Sequence, residues 1–491
     1  MKPNHLLMLI LLASIAGGCA VGPDYQRPAV NTPAHWSEPL VGGETNALVS
    51  LAGWWKNFHD PELDSLIDRA VQSNLNLRIA QVRVQEARAE YGIAAASLWP
   101  SADVSSSYAR TETSHHQPVL GSLPIPPGIP FENDVYQGGF DASWEIDVFG
   151  GKRRATEAAR DEVAASEFGQ RGTLITLLGD VARNYIDVRS YQRRLTITDE
   201  NIKAQEQALA IARDRFTNGL SSDLDVQQAA TLLATTKAEV PALETSLQVS
   251  IHRLGVLLGQ PPGTLLAELS KTAPIPPAPP IVPVGLPSEL LLRRPDVGRA
   301  ERQLAAATAN IGVAKADLFP KFYLTGLTGF ESVSADDWFT AGSRLWSIGP
   351  TVQWRVFDAG RIRANIRVQD ARQEQALDSY QETVLSAFED VENALVSYAK
   401  EQTRRRLLED AVTSSQQSLQ LAQKLYGNGL TDFINVLEAE RSLYQAQNAL
   451  VQSDRTVSTD VVALYKSLGG GWETQSLSAS ASAAATKTVV N

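Results

Sequence analysis

The chain has 491 residues, and its 44 basic and 55 acidic side chains give a formal net charge of −11. We do not expect such a chain to bind nucleic acid, because nucleic-acid surfaces carry clustered lysine and arginine. One cysteine excludes a disulfide framework within the chain, and the sequence holds no run of 18 or more apolar residues that would form a transmembrane helix.

Residues 1–18 have the pattern of a signal peptide. Lys2 precedes an apolar block, and the only cysteine, Cys19, follows two glycines where the signal would be cut. The run Ile15-Ala16-Gly17-Gly18-Cys19 resembles a bacterial lipobox, although Ala16 stands where leucine is usual. We therefore expect a covalent lipid on Cys19 that anchors the chain stably in a membrane. The alternative is a secretory signal with an incidental thiol.

Residues 19–60 are rich in Pro, Gly and Trp without a sustained period, which predicts an irregular wrapping segment. A helix over about residues 61–98 is expected next, because Asp60 and Pro61 supply an N-cap followed by proline at the first helical position. This helix opens a unit, residues 61–259, that the chain repeats.

The second copy of the unit covers residues 286–469 and follows a Pro-rich linker, residues 260–285. Its first helix is expected from about residue 286 to residue 318, since Leu98-Trp99-Pro100 recurs as Leu318-Phe319-Pro320, 220 residues later. Self-similarity at a nearly fixed offset indicates a duplicated unit.

Each copy then predicts a β-hairpin, at residues 101–148 and 321–357. Apolar side chains occupy alternate positions in both, for example Tyr136, Phe140, Trp144 and Ile146, and then Trp346, Ile348, Val352 and Trp354. Strands of about 10 residues with one apolar face are typical of an outer-membrane barrel. Four strands are too few to close one, since about 8 are needed, so the open edges must pair with other copies. Two copies would give a filled barrel and three a twelve-stranded barrel with a lumen.

Residues 152–259 predict a long helical hairpin with its turn at Asn218-Gly219-Leu220. Apolar residues recur there every seven positions: Leu174, Val181, Val188, Leu195, Ile202, Leu209 and Phe216. This period is typical of coiled coils, and the outgoing helix would be about 100 Å long at roughly 1.5 Å per residue. Residues 359–469 repeat the hairpin with a turn at Asn428-Gly429-Leu430. Glycine suits the left-handed position that ends a helix. Pro241 is expected to kink or split the first return helix.

The sequence lacks the motifs of common catalytic and nucleotide-binding sites, including HExxH, paired CxxC, G-x-S-x-G and the P-loop. Its carboxylates are scattered at surface spacings. His115-His116 has no third ligand in sight, so we expect no metal site there. We expect no enzyme activity and no cofactor other than the lipid on Cys19.

Three stretches resemble one family. The segment Cys19-Ala20-Val21-Gly22-Pro23-Asp24-Tyr25-Gln26-Arg27-Pro28, the motif Leu292-Arg293-Arg294-Pro295-Asp296-Val297 and Gly471-Trp472 are similar to the NodT-like (OprM-like) branch of the TolC-like outer-membrane factor family. The resemblance implies an α+β, mostly α fold: a long antiparallel coiled-coil α-helical barrel joined to a transmembrane β-barrel, with four strands per chain and twelve in a homotrimer. Ala20 after the cysteine favours export to the outer membrane by the same analogy. Residues 470–491 are expected to be a disordered tail.

The resemblance further implies the outer-membrane channel of a tripartite efflux pump. Such a channel passively conducts drugs or other small molecules, delivered by an inner-membrane resistance-type pump through a periplasmic adaptor. The same conduit for type I protein secretion or metal-ion export is an alternative, as is a structural lipoprotein spanning the periplasm. Only two methionines, both within the signal, argue against copper. The sequence names neither the substrates nor the partner proteins.

By this resemblance the turns hold the gate. The residues implied in gating or selectivity are Asp225, Asn435, Glu438, Asp214, Arg215, Tyr426 and Thr431. The residues implied in adaptor docking are Asn218, Gly219, Leu220, Asn428, Gly429 and Leu430. Asn435 departs from the carboxylate of some relatives, and Thr431 stands where some have arginine.

Overall fold

The computed structural model describes residues 20–38, 44–45, 51–112, 114, 132–279 and 282–473. The chain divides into two compact units, with boundaries after Pro28, Val84, Ala165, Ala300 and Ser379. One unit holds a four-stranded sheet, and the other holds the turns of two long helical hairpins.

Most of the described chain is helical. The helices are α1 (Pro61–Ser73), α2 (Leu75–Ala96), α3 (Gly151–Thr217), α4 (Asp223–Leu257), α5 (Leu266–Leu269), α6 (Pro287–Arg293), α7 (Pro295–Ala316), α8 (Arg361–Gly427) and α9 (Phe433–Ser467). The strands are β1 (Glu44–Thr45), β2 (Ser101–Glu112), β3 (Glu132–Ile146), β4 (Val282–Pro283), β5 (Lys321–Ser332) and β6 (Arg344–Gln353). β1 and β4 form a short parallel pair.

None of the helices in the described ranges is both long and apolar enough to cross a membrane.

The duplication is visible in the helix lengths. α3 and α8 have 67 residues each, and α4 and α9 have 35 residues each. The first return helix, α4, runs through Pro241 without a break. Of the two predicted effects of Pro241, the split is therefore wrong, and the kink stays a prediction. A proline removes one backbone N–H donor, and 35 residues of packed helix tolerate that loss.

The predicted helix over residues 61–98 is also wrong as a single element, because Asn74 separates α1 from α2. Asn74 has an extended backbone, with φ −65° and ψ 126°. Its side-chain amide donates to the Leu257 carbonyl at 2.8 Å, and its Oδ1 accepts from the Leu77 N–H at 2.9 Å. The second copy has the same break, since Arg294 separates α6 from α7 and Pro295 begins α7. The ring of a proline disfavours the helical conformation in the residue before it, which explains the second break, at Arg294.

The sheet is antiparallel in the order β2-β3-β5-β6, so the two hairpins meet through β3 and β5. Gly139 faces Gly329 across that pair, and a Cβ on Gly139 would come within 2.6 Å of the Thr328 carbonyl oxygen. Glycine is therefore required for the close approach of the two strands. β2 and β6 are edge strands among the strands described. β6 ends at Gln353, four residues before the predicted end of its hairpin.

Equivalent hydrogen bonds mark the passage from sheet to helix in both copies. The Trp144 indole donates to the Leu98 carbonyl at 2.9 Å, and the Trp354 indole donates to the Leu318 carbonyl at 3.1 Å. Glycines in the left-handed region follow, Gly150 with φ 79° and Gly360 with φ 86°. The chain therefore turns in the same way into α3 and α8.

The N-terminal segment is fixed to the unit that contains the sheet. The Val21 N–H donates to the Phe149 carbonyl at 3.0 Å. Arg154, whose side chain is 6% exposed, donates to Asp24 at 2.6 Å and to the Val21 carbonyl at 3.3 Å. A Cβ on Gly150 would lie 2.6 Å from the Ala20 Cα. Residues 20–24 therefore lie against the passage from β3 to α3.

Candidate functional site at the two helical turns

The two turns have the same backbone geometry. Gly219 and Gly429 have φ of 72° and 73°. The Leu220 N–H donates to the Arg215 carbonyl at 2.7 Å, and the Gly219 N–H donates to the Phe216 carbonyl at 2.9 Å. This pair of bonds is the Schellman arrangement, which satisfies carbonyls at a helix end. Leu430 and Gly429 repeat it at the end of α8, with distances of 2.9 Å and 3.0 Å. The prediction of left-handed glycines is confirmed.

At each turn the asparagine side chain bonds to the backbone and the leucine side chain is exposed. The Asn218 amide donates to the Asp214 carbonyl at 2.7 Å, and the Asn428 amide donates to the Lys424 carbonyl at 2.9 Å. These bonds tie each turn to the last helical turn before it. Leu220 is 68% exposed and Leu430 is 72% exposed. The tips therefore present apolar side chains on firmly held backbone.

The helices that follow the turns begin without side-chain caps, although Ser and Asp are favoured N-cap residues. Ser222 and Asp432 occupy the N-cap positions with an extended backbone, but neither side chain makes a capping hydrogen bond within the described part of the chain. The Thr431 hydroxyl oxygen instead accepts from the Asn435 amide at 2.8 Å. These two predicted gate residues therefore contact each other on the surface of the second hairpin.

An apolar cluster packs the four helices together behind the turns. Its buried members are Ala208, Leu209, Ala212, Val226, Ala229, Leu233, Phe433, Val436 and Leu437. They come from α3, α4 and α9, and Leu419, Ala422 and Tyr426 of α8 pack against them. The two hairpins are thereby joined along one apolar seam.

Arg215 and Tyr426 link the ends of the two outgoing helices. The Arg215 guanidinium carbon lies 4.5 Å from the centroid of the Tyr426 ring, and its Nη1 donates to the Tyr426 carbonyl at 3.2 Å. Burial raises the pKa of Tyr426, the Asp225 carboxylate raises it further, and the charge of Arg215 opposes both. The structure thus brings three of the predicted gate residues, Arg215, Tyr426 and Asp225, into one group.

The other predicted gate residues lie outside this group. Glu438 is exposed and forms an ion pair with Arg441 on the same helix. Asp214 is exposed, and its carbonyl accepts from Asn218 and from the Thr217 hydroxyl at 2.9 Å. Both carboxylates therefore face solvent in the single chain.

Sequence reasoning missed several residues at the site. The ring of Phe433 lies 5.0 Å from that of Tyr426, measured between centroids, and Phe433 is buried. Glu440 and Gln205 are also buried. Glu440 follows Phe433 by seven residues, so it takes a position where a coiled coil expects an apolar side chain. That substitution was a visible signal in the sequence.

Cys19 lies outside the described residues, as do His115, His116 and residues 474–491. Within the described ranges, no group of three or more His, Cys, Asp or Glu side chains is placed to hold a metal ion.

Comparisons with known proteins agree with this architecture. Residues 66–260 and 286–470 match the family described as outer membrane efflux protein. A toluene efflux pump outer membrane protein of Pseudomonas putida is 33% identical over 477 residues, or 96% of this chain and 99% of the relative. A cation efflux system protein of Escherichia coli is 31% identical over 485 residues, covering 96% of this chain and 100% of the relative.

A solved structure has the same fold. The outer-membrane channel OprN superposes with a TM-score of 0.86 at 34% identity, covering 92% of this chain and 100% of that one. The helical hairpins and the sheet thus define an outer-membrane channel protein. The chain belongs to the outer membrane efflux protein family, and it functions in the outer membrane as an efflux channel.

Proposed function

We propose that three copies of the chain form the complete channel, a twelve-stranded β-barrel continued by a helical tunnel. β2 and β6 are the edge strands of the described sheet, and this supports self-assembly because the unpaired N–H and C=O groups of an edge strand can hydrogen-bond to a strand of another copy. The exposed apolar face of the sheet supports a lipid environment. Trp346 is 75% exposed, and Ile348 and Val352 share its face of β6. Cross-linking in native membranes tests the assembly, and a ladder that stops at a dimer contradicts it.

A lipid on Cys19 would anchor each copy. Support comes from Ala20, whose Cα lies against Gly150 where the sheet passes into α3. An acyl chain on the preceding residue would therefore begin near the end of the barrel strands. Radiolabelled palmitate tests this: wild-type protein should incorporate the label and Cys19→Ser should not. Unlabelled wild-type protein contradicts the proposal.

The turns would form the gate and the docking surface for a periplasmic adaptor, which couples the channel to an inner-membrane pump. The observation that carries this proposal is the link between Arg215 and Tyr426, which joins the two hairpins beside two exposed leucines. Rings of carboxylate at a pore entrance favour cations, and Asp225 and Glu438 would supply them in a trimer. Asn435 adds no charge to this ring.

Small organic molecules are the cargo we propose. The relatives divide on this point, one being named for toluene and the other for cations. Both methionines of this chain lie within residues 1–18, so the mature channel has no thioether ligand for a soft metal. Metal-ion export and type I protein secretion remain the alternatives. Measuring the accumulation of a fluorescent dye and of copper in a deletion strain distinguishes export of small organic molecules from export of metal ions, since only the dye should accumulate.

Planar-bilayer recording tests the entrance ring. The purified protein should conduct with cation preference, and Asp225→Asn combined with Glu438→Gln should reduce that preference severalfold. Asp410→Asn removes one exposed carboxylate of α8 away from the turns and serves as the control. Protein that never conducts contradicts the channel, whereas unchanged selectivity in the double variant contradicts only the ring.

Site-specific cross-linking tests the docking surface. Leu220→Cys and Leu430→Cys should each form adducts with the adaptor in cells. Leu407→Cys is the matched control, because Leu407 is 65% exposed on α8 and lies 20 residues before the end of that helix. Adducts at Leu407→Cys but at neither turn would contradict docking at the tips.

A further inference from the structure

Inside the chain, the two repeats, residues 61–259 and 286–469, meet along one interface. The strands β3 and β5 pair. The helices α3 and α7 also contact each other, since the Arg302 guanidinium of α7 donates to the Asp161 carboxylate of α3 at 3.1 Å. The end of the first repeat, β3 with α3, therefore fits the beginning of the second repeat, β5 with α7.

The duplication supplies both kinds of surface a second time, and these second surfaces are open. α8 begins 210 residues after α3, and α2 begins 220 residues before α7, with equal lengths in each pair. A Cβ on Gly312 of α7 would lie 2.8 Å from Arg154 of α3, whereas one on its counterpart, Gly92 of α2, would meet no described atom within 4 Å. Gly360, the counterpart of Gly150, is equally open among the described residues. The end of the second repeat and the beginning of the first are thus accessible to another chain.

The open end of the second repeat contains a groove of about 830 Å³. Its lining includes Trp354, Arg355, Phe357 and Ile362. The corresponding place in the first repeat is a cavity of only about 130 Å³, with Ala316 and Pro320 of the second repeat in its wall. The counterparts of these two residues are Ala96 and Pro100, and Trp99 between them is 73% exposed. Another chain could therefore close the groove with the beginning of its first repeat.

The pairing of β3 with β5 sets the register expected between two chains. Inside the chain, Glu145 lies opposite Tyr323. Moving this pair by the two repeat offsets places Arg355, two residues after β6, opposite Asp103 of β2 in another chain. An arginine then faces an aspartate on the same side of the sheet. Opposite charges at directly opposed positions favour the pairing of two strands.

Neither charge is balanced by the neighbour expected inside its own chain. Asp103 lies opposite Asp141 of β3, and like charges at such positions repel each other. Glu145, the counterpart of Arg355, has a cation of its own, since the Lys152 ammonium lies 3.5 Å from its carboxylate. The residue that corresponds to Lys152 in the second repeat is apolar. A second chain would supply each charge with a partner of opposite sign.

The helix contacts change in matched pairs as well. Inside the chain, Phe168 of α3 lies against Gly298 of α7, where a Cβ would come within 2.6 Å of the ring. Their counterparts are Asp378 of α8 and Arg78 of α2, which are both exposed and have opposite charges. An acid and a base thus replace a ring and a glycine, and this keeps the two surfaces complementary only because both sides change together.

The reverse exchange occurs at the ion pair of Arg302 with Asp161. Its counterparts are Val82 of α2 and Ala371 of α8, and both are exposed in the single chain. A charge on one side alone would be buried between chains without a partner, and neither side carries one. Matched changes of this kind are expected of two surfaces that contact each other.

We propose that β6 and α8 of one chain bind β2 and α2 of the next chain in the register of the interface inside the chain, with Arg355 paired to Asp103 and Asp378 paired to Arg78. The proposal rests on the assembly proposed above and names its contact surface. Because the two surfaces differ, each chain joins the next head to tail, and such contacts form a ring when the rotation between chains closes.

Double-cysteine variants of the full-length protein in native membranes test the register. Asp103→Cys combined with Arg355→Cys should form disulfides between chains under mild oxidation, because directly opposed strand residues lie within disulfide reach. Asp103→Cys combined with Gln353→Cys shifts the register by two residues on the same face and is the matched control. It should give severalfold less cross-linked product.

The outcomes separate the interface from the assembly. Stronger linking of the shifted pair overturns the register. If neither pair links in membranes where an amine-reactive reagent still joins three chains, this interface is overturned and the proposed assembly stands. If neither disulfides nor the amine-reactive reagent join any chains, the assembly itself is refuted.

Charge reversal tests the ion pair. Arg355→Asp would place a third carboxylate beside Asp103 and Asp141 of the next chain, and it should raise the dissociated fraction severalfold in native gels of the detergent-solubilised protein. Asp103→Arg in the same chain should restore assembly. Asp336→Arg, an exposed position between β5 and β6, is the control and should leave assembly unchanged. Failure of Asp103→Arg to restore assembly, or equal dissociation of the control, overturns the pairing.

Discussion

The Arg215 guanidinium covers the ring of Tyr426 at 4.5 Å and donates to the carbonyl of the same residue. Arg215 belongs to the last turn of α3 and Tyr426 to the last turn of α8. The Arg215 side chain thus connects the C-terminal ends of the two outgoing helices, where the chain reverses direction in each hairpin. A change in this contact would alter the spacing of the two turns.

Arg215→Lys should loosen this link. Lysine lacks the planar guanidinium that stacks on an aromatic ring while donating to a carbonyl. We expect the closed state to lose about 1 kcal/mol of stabilisation, which corresponds to roughly a fivefold higher open fraction in planar-bilayer recordings. Arg213→Lys, at an exposed position of the same helix, should leave the open fraction unchanged. Equal open fractions in wild type and Arg215→Lys would show that the contact does not restrain the gate.

Gly219→Ala and Gly429→Ala should each cost about 1 kcal/mol of stability, measured by thermal unfolding. Both glycines have positive φ, and a Cβ on either would meet nothing within 4 Å, so only backbone strain opposes the change. Gly312→Ala is the contrasting variant. Its Cβ would lie 2.8 Å from the Val21 carbonyl oxygen and from Arg154. It should destabilise more than either turn variant, and the reverse order would contradict this account.

Asp460 should make stability fall as pH rises. Burial and, to a smaller extent, the neighbouring Glu401 raise the pKa of its carboxyl against the opposing charge of Arg455, to about 6 in total. Because the folded chain keeps a proton that the unfolded chain releases near pH 4, the free energy of unfolding decreases between about pH 4 and pH 6. Asp460→Asn should therefore be more stable than wild type at pH 8, by up to about 3 kcal/mol, and this difference should largely disappear at pH 4.

Chemical denaturation at several pH values measures this difference. Asp199→Asn, an exposed carboxylate paired with Lys203, is the control and should follow the wild type within about 0.5 kcal/mol. If Asp460→Asn and wild type keep the same difference from pH 4 to pH 8, the carboxyl does not titrate with folding.

Arg294→Lys should destabilise the chain although the charge is kept. The Arg294 side chain is 10% exposed and donates to Asp296 at 2.5 Å, to Asp390 at 2.9 Å and to the Ser467 carbonyl at 3.1 Å. A lysine ammonium cannot reach three acceptors arranged for a planar guanidinium. We expect the free energy of unfolding, measured by thermal unfolding, to fall by about 2 kcal/mol for Arg294→Lys and to change little for Arg293→Lys. Equal losses at the two positions would contradict the role of the guanidinium.

Much of the fold was predictable because it follows local rules. The seven-residue apolar period gave the long helices, and the Asn-Gly pairs gave turns whose left-handed glycines the structure confirms. The alternating strands were predictable for the same reason, since the period of two depends only on neighbouring residues. The break at Asn74 was not, because it depends on a hydrogen bond to Leu257, 183 residues away.

The candidate site was only partly predictable. Its position at the turns was predicted from the repeat and from the family resemblance. The grouping of Arg215 with Tyr426, however, requires the C-terminal ends of α3 and α8 to lie beside each other. Glu438 carried a predicted role and lies on the surface of the single chain, whereas Phe433 had none and packs beside Tyr426. Charge is visible in a sequence, but burial is not.

The sequence by itself determined the duplicated helical hairpins, the four strands and the place of the turns, because periodicity, glycine geometry and capping act within a few residues. Only the tertiary structure decided which elements meet. It paired β3 with β5, joined the hairpins through Arg215 and Tyr426, and buried the polar side chains of Glu440 and Gln205. Those outcomes depend on contacts between residues more than 175 positions apart, and their strength depends on how completely water is excluded from each contact.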